Sequence, residues 1–500
     1  MPGQRALIPA LTLRGRLCLK FSRIGRKMIF QLRAARSFAY ALAISLLVSS
    51  ISFGQSSSET TVVRNVDLKS FPTTVRVDSP ATSGPIVSPT VALYFDPVQG
   101  SSSVDLVRRA LASNGELAAA RLDVERARAR LRQAGLRPNP SVDIEQTTDR
   151  FTGAAGERET SVGVSVPLEL GGKRGRRIDL AKAELEAAEA EIANRERQLT
   201  NEVRTSYAEA LAALRELQIT ENLNDIDIQT ARFVQTRVNE GESAPIELNL
   251  LRVEVDRLRS RRALVEGRLK AELLKLKVIA DLSPDDSLRL REVLDTPGLP
   301  SPPASVEAAI EIALRTRPDL KLARLTEEVA QAGLRLARAE SFPDVTPFTK
   351  YTVGRSVFDD TPVGVLTDRD KLLSFGVSIG IPVFNRNQGS KAEAALAISQ
   401  AEKRRKFLEQ VVRSEVASAY ERYEAARNAV QAYEQGVIAR SNDNIKAIRA
   451  AYQIGEFRIT DLLGEQRRLV DSQREFTEAL TEQYRALADI QAALGVQPNQ

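Results

Sequence analysis

The sequence predicts a mainly α fold with a small β part, built as an internal two-fold repeat. Three observations predict it. Five landmarks recur in the same order in the two halves, at offsets of 202 to 215 residues. The hydrophobic period switches from 3.6 to 2 and back once in each half. Each switch is followed by more than 60 residues without proline.

Residues 1–54 read as a leader. They hold nine Arg or Lys and no acid, and Met28 begins a stretch in which Arg33 and Arg36 precede an apolar run from Phe38 to Val48. Ser52 and Gly54 then supply the small residues of an export-signal cleavage site, with Met28 as an alternative start. The uncharged run from Ser37 to Gln55 could also serve as an anchor, but its Ser, Gly and Gln residues make it a poor span. Residues 55–102, rich in Ser, Thr, Pro and Val, are expected to form an extended or disordered arm.

Repeat 1 covers 103–283 and repeat 2 covers 305–497. The proline-rich segment 284–304 joins them, with Pro284, Pro297, Pro300, Pro302 and Pro303. Each repeat reads helix, strand, strand, long helix, returning helix. Ser103 and Ser305 are suited to cap the opening helices. These helices run to about Gly135 and Glu340, where prolines stop them. In 161–168, Val162, Val164, Val166 and Leu168 alternate with Ser161, Gly163 and Ser165. In 374–381, Phe375, Val377, Ile379 and Ile381 alternate with Ser374, Gly376, Ser378 and Gly380. Weaker strands are expected at 141–151 and 345–354. Pro167 and Pro382 mark the strand-to-helix turns.

The long helices are expected from about Asp179 to Glu240 and from Ser390 to Ile454. The second should open on the capping box Ser390-Lys391-Ala392-Glu393. Leu185, Ile192 and Leu199 fall seven apart, the spacing of coiled-coil packing. The returning helices, about 245–281 and 459–494, must run back antiparallel.

Composition excludes much chemistry. There is no His, and Cys18 in the leader is the only Cys, so imidazole catalysis, His-based metal sites and disulfides are outside the mature chain's reach. The net charge of +6 belongs to the leader; without its nine cationic residues the remainder stands at −3, which argues against nucleic acid as a partner. Gly171, Gly172 and Gly175 do not complete a phosphate-binding loop. Glu and Arg follow helix faces, without a convergent acid–base pair. We therefore expect neither an enzyme nor a cofactor.

A strand with one apolar and one small polar face suits lipid on one side and an aqueous lumen on the other. A soluble hairpin packed on a helix would alternate in the same way. Four strands cannot close a barrel, and an open edge cannot sit in lipid. If these are membrane strands, a homotrimer sharing 12 strands satisfies both conditions, with the long helices continuing the wall as a tube. That is a conduit. An exported coiled-coil scaffold is the competing reading. Aromatic residues are only 5% and Trp is absent, so a membrane girdle must come from Phe151, Phe348, Tyr351, Phe358, Phe375 and Phe384.

The duplicated plan, the VSVPLELGGKRGRR and VSIGIPVFNRNQGSKAEA junctions and the YQIGEFRITDLL turn resemble the TolC-type outer-membrane efflux factors over essentially all of 103–497. The LRPNPSV and ELGGKRG wording is most similar to the CzcC-like heavy-metal efflux branch. The resemblance implies a trimer with a 12-stranded outer-membrane barrel and a long antiparallel α-helical periplasmic barrel. It also implies contact with outer-membrane lipid and docking to a periplasmic adaptor protein and an inner-membrane pump. The cargo would then pass without energy input from this chain, with divalent metal cations, drugs, solvents and peptides all open.

The family narrows its tunnel at the periplasmic tip, here the turns Val238–Ile246 and Gln453–Thr460. Tyr452, Gly455 and Asp461 match its pattern, and Gly241 and Glu247 are their counterparts in the first repeat. Gly464 stands where a second acid is expected, followed by Glu465. Asp461 and Glu247 can equally serve as acids in a first helical turn. Lys173, Arg174, Arg176 and Arg177, with Arg386 in the second repeat, are candidates to meet lipid phosphates at the membrane face. A solvated turn explains them as well.

Overall fold

The computed structural model of the chain describes residues 88–148, 157–295, 298–358 and 366–495. The leader, residues 55–87 of the expected arm, Phe151 and Pro297 lie outside the described residues, as does the side chain of Phe358. Helices α1 (Ser103–Ser113) and α2 (Gly115–Ala134) lead into β1 (Ser141–Thr148) and β2 (Arg158–Ser165), then α3 (Lys173–Asn239) and α4 (Pro245–Ile279). The second half follows the same order: α5 (Val306–Thr316), α6 (Pro318–Ala339), β3 (Val345–Phe358), β4 (Leu366–Ile379) and α7 (Gln388–Ala432). A π-helical turn (Tyr433–Ile438) then carries α7 into α8 (Ala439–Gln453), and α9 (Ile459–Leu494) returns. At 67 residues, α3 is about 100 Å long. No helix among the described residues is long and apolar enough to cross a membrane.

Three local expectations are corrected. Each opening helix is two. Asn114 ends α1 and its side chain accepts the Leu117 amide to start α2, while Pro318 forces Arg317 out of the helical region between α5 and α6. The first cap is Ser102 rather than Ser103, since Ser102 and Asp105 form a reciprocal capping box. The box expected at Ser390 is absent because α7 starts two residues earlier, after Asn387, placing Ser390 and Glu393 inside the helix.

The four strands form one antiparallel sheet in the order β1-β2-β3-β4. Each half contributes a hairpin, and the β2–β3 pairing from Arg158↔Arg355 to Ser165↔Phe348 joins them. β3 and β4 pair over their full length, Val345↔Ile379 to Phe358↔Leu366, beyond the spans the sequence predicts.

The main core lies where α3 and α4 cross the start of the described chain. Residues 88–101 are not a free arm. Val91 is buried, the Tyr94 hydroxyl donates to Glu266 at 2.9 Å and the Asp96 amide to the Leu290 carbonyl at 2.9 Å. Arg262 bridges Thr90 Oγ1 and Glu221. Two tyrosines from matching landmarks then repeat one task. Tyr207, fully buried, donates to the Ser101 carbonyl at 3.0 Å and accepts the Glu292 amide at 3.3 Å. Tyr420 donates to the Pro303 carbonyl at 2.9 Å. Each pins the entrance of an opening helix to a long helix. Arg197 adds a link between halves, reaching Asp319 at 3.6 Å and the Ala492 carbonyl at 3.3 Å.

Removing the Tyr207 hydroxyl leaves the Glu292 amide without its acceptor, while the Ser101 carbonyl keeps the Arg291 amide at 3.2 Å; Tyr420 serves one acceptor. Tyr207→Phe is expected to cost about 1–3 kcal/mol and Tyr420→Phe less. Thermal unfolding of the helical signal in detergent compares the two.

Candidate functional site

Strict cross-strand register decides which side chains share a face of the sheet. On one face the rows are Leu168–Val345–Ile379, Val166–Pro347–Val377, Val142–Val164–Thr349–Phe375 and Ile144–Val162–Tyr351–Leu373. The strand candidates Val162, Val164, Val166, Phe375, Val377 and Ile379 all lie here and all are exposed, Phe375 at 75%. From Ile379 to Leu373 this band runs about 20 Å along β4. The reverse face holds Ser141, Ser161, Gly163, Ser165, Thr346, Thr352, Ser374, Gly376 and Ser378 among charged residues.

Phe348 is on that reverse face, its ring lying over Gly376 where a Cβ would overlap it. Of the girdle aromatics, Tyr351 and Phe375 lie on the apolar face, and Phe348 is a correction.

The charges segregate too. Asp143, Glu145, Glu159, Asp368 and Asp370 are the carboxylates of the four strands, and all five lie on the polar face, with Lys350 as their single cation. Lys350 pairs with Glu145 at 2.9 Å. Arg158, Arg355, Arg369 and Lys371 are all on the apolar-band face. The period-2 run Asp368-Arg369-Asp370-Lys371 carries this signal in the sequence.

At the other end of the sheet, Pro167 and Pro382 stand where the chain leaves it. Here the basic tract is engaged with protein groups. Lys173 pairs with Asp344 at 2.7 Å. Arg177 takes Glu169 with both terminal nitrogens, at 2.6 and 3.1 Å, and reaches the Leu136 carbonyl. Arg174 donates to the Gly135 carbonyl at 2.8 Å and Arg176 pairs with Asp179. Lys173, Arg174 and Arg177 thus fasten α3 to the end of α2 and the start of β3, while Arg174 and Arg176 remain exposed. Arg386 is exposed, its amide donating to Gln388.

At the far end of the helices, Gly241 (φ +80) and Gly455 (φ +82) take the left-handed conformation. After each, a Schellman closure forms: Glu242 donates to the Arg237 carbonyl at 2.8 Å and Glu456 to the Ala451 carbonyl at 2.9 Å. The two acids then diverge. Asp461 is exposed and accepts the Arg458 amide at 3.1 Å, capping α9. Glu247 is half-buried and accepts the Tyr452 hydroxyl at 3.2 Å. Burial first, and the Glu247 carboxylate second, push Tyr452 up to about 12, so it remains a donor. Around it pack Val234, Leu248, Leu251, Ile459 and Leu462.

The sequence profile described as outer membrane efflux protein matches residues 106–280 and 309–496. The chain belongs to that family. Its members are outer-membrane proteins. The cobalt-zinc-cadmium resistance protein CzcC of Cupriavidus metallidurans is 24% identical over 387 residues, 77% of this chain and 88% of CzcC. The pyoverdine export outer membrane protein OpmQ of Pseudomonas aeruginosa is 26% identical over 421 residues, 79% of this chain and 85% of its own. A crystal structure of CusC superimposes with a TM-score of 0.65 at 22% identity, over 81% of this chain and 96% of that one.

One buried group in this efflux-family chain escaped sequence reasoning. Asp227, fully buried on α3, accepts Gln466 Nε2 of α9 at 3.0 Å. Burial pushes its carboxyl up to about 6 and the nearby Glu254 adds to this, against the pull of Gln466 and Arg449. A lone Asp on a helix gives no sequence signal of such a pairing. An acid raised in the folded state stabilises the fold fully below its unfolded value near 4, and loses that contribution as pH rises through about 6. Asp227→Asn is therefore expected to raise Tm relative to the parent by a margin that grows from pH 4 to pH 7. Thermal melts across that range measure it.

Proposed function

We propose that the chain is the outer-membrane channel of a tripartite efflux system, a passive conduit for cations from a periplasmic pump assembly to the exterior. The observation that carries this is the sheet: one face apolar and exposed, the other small, polar and acidic, with two open edges. An apolar exposed face calls for lipid, and in lipid both edges must be paired. Three copies joined edge to edge give 12 strands, an even number of the kind single-chain outer-membrane barrels use. The helices of about 100 Å then project away as a periplasmic tube. Its far turns, at Gly241 and Gly455, are where an adaptor and pump would dock, where Asp461 would line the entrance and where the bond between Tyr452 and Glu247 would hold the two turns together.

For cargo we infer divalent metal cations. Five carboxylates against one lysine on the lumen face of each protomer attract cations and repel anions. That polarity fits the cobalt-zinc-cadmium resistance relative.

Particle imaging of the chain extracted from membranes in mild detergent tests the reading. A three-fold cylinder with a helical tube supports it, whereas a water-soluble monomer or thin rod would give the coiled-coil scaffold the lead. In planar bilayers the trimer should prefer cations. Neutralising Asp143, Glu159 and Asp370 together to Asn, Gln and Asn should reduce that preference several-fold. Asp461→Asn should weaken it from the tip. Unchanged selectivity in both would count against an acidic path.

A further inference from the structure

We propose that the outer rim of the sheet is a binding site for phosphate-bearing lipid head groups of the external leaflet, built on a rung of three arginines. Arg158, Arg355 and Arg369 are direct partners in the register, Arg158 opposite Arg355 and Arg355 opposite Arg369. They therefore lie at one level on three neighbouring strands and on the same face as the apolar band. Lys371, one row nearer the band opposite Val353, extends the patch. All four are exposed.

The arrangement is costly by itself. Like charges directly opposite on neighbouring strands, with Cβ atoms about 5 Å apart, destabilise a sheet. No carboxylate of the four strands shares their face, and among the described residues none of the four cations has an ion-pair partner. By contrast, the basic residues at the opposite end of the sheet, Lys173 and Arg177, are each held by a carboxylate. Among the described residues the rung is thus an unneutralised cationic row, and an anion with several oxygens would offset its repulsion. Guanidinium groups suit this task, since each can grip a phosphate with two parallel hydrogen bonds.

Position selects the source of the phosphate. The rung begins two rows above Ile144–Val162–Tyr351–Leu373, the last fully apolar row. It lies toward the hairpin ends, away from α3 and α7. This inference rests on the membrane reading above, in which that end faces outward. Arginine stems at such a level cover the upper apolar row while the heads reach the interface. A lipid seated in the band presents its head group there. A phosphate free in solution has no reason to seek the apolar edge.

The test uses the full chain as extracted trimers. Retention of lipid A, a bis-phosphorylated lipid, is measured by native mass spectrometry with phosphatidylcholine as control. The triple variant R158Q/R355Q/R369Q is compared with R158K/R355K/R369K. The glutamine variant should bind lipid A on the order of 10- to 100-fold more weakly. The lysine variant should keep most of the binding, and phosphatidylcholine should not discriminate between the variants. Equal retention of lipid A by the parent and the glutamine variant overturns the proposal. So does displacement of lipid A by inorganic phosphate at equal phosphate concentration, because the source would then be a free anion. Trimer assembly and conductance read the membrane reading separately: normal channels with unchanged lipid retention sink the rung alone, while a chain that never enters membranes sinks the reading beneath it.

Discussion

A four-stranded sheet has two edges, and everything else in this molecule answers to the fact that unpaired backbone groups are not tolerated in hydrocarbon. The outer edges of β1 and β4 have no strand partner among the described residues. A soluble protein covers such edges with a helix or blunts them with charge. Here the apolar rows run to both edges, with Val142 and Ile144 on β1 and Phe375, Val377 and Ile379 on β4. On the membrane reading proposed above, rows that reach an edge would be continued by another strand, and two identical edge-to-edge joints per copy would make a closed ring.

On that reading, closure would in turn dictate the helices. A ring of strands would deliver its chain ends at one level, and every α3 and α7 would have to leave at the same angle for a tube to follow. The fastening at the junction would provide this. Arg177 ties Glu169 to the Leu136 carbonyl, and Lys173 ties α3 to Asp344 ahead of β3. Positive charge in the first turn of a helix opposes the macrodipole, which explains why each cation is met by a carboxylate or a carbonyl instead of being left to the helix end. Farther along, Tyr207 and Tyr420 repeat one tether in both halves, so the duplicated sequence is also a duplicated load path.

Much of this was legible before the structure. The alternation at Val162–Leu168 and Phe375–Ile381 reports a face directly, and proline-free length reports long helices. What was not legible is where distance or local competition decides. The period-2 signal of 366–372 is written in charges, Asp368, Arg369, Asp370 and Lys371, and a search for alternating apolar residues passes over it. Phe348 looked like a girdle residue because register, which sets its face, is a property of the pair. Ser390-x-x-Glu393 has the right residues for a cap, yet Asn387 in the left-handed region starts the helix first. Arg317 gave no warning of a helix break, although Pro318 after it did.

The tip shows the same limit and what it means for a gate. Asp461 and Glu247 occupy equivalent positions, and from sequence alone a charged ring and a helix cap were rival readings for both. Geometry separates them. Asp461 takes the amide of Arg458 and still exposes its carboxylate to water, so capping and charge display coexist in one group. Glu247 is instead committed to Tyr452, across 205 residues of sequence, in an apolar cluster that joins α3, α4, α8 and α9. A carboxylate that anchors a buried hydroxyl presents less field to a pore than one in water. In a trimer the entrance charge would then come chiefly from Asp461. The bond between Glu247 and Tyr452 would hold the two turns together, and it would have to be given up for them to part.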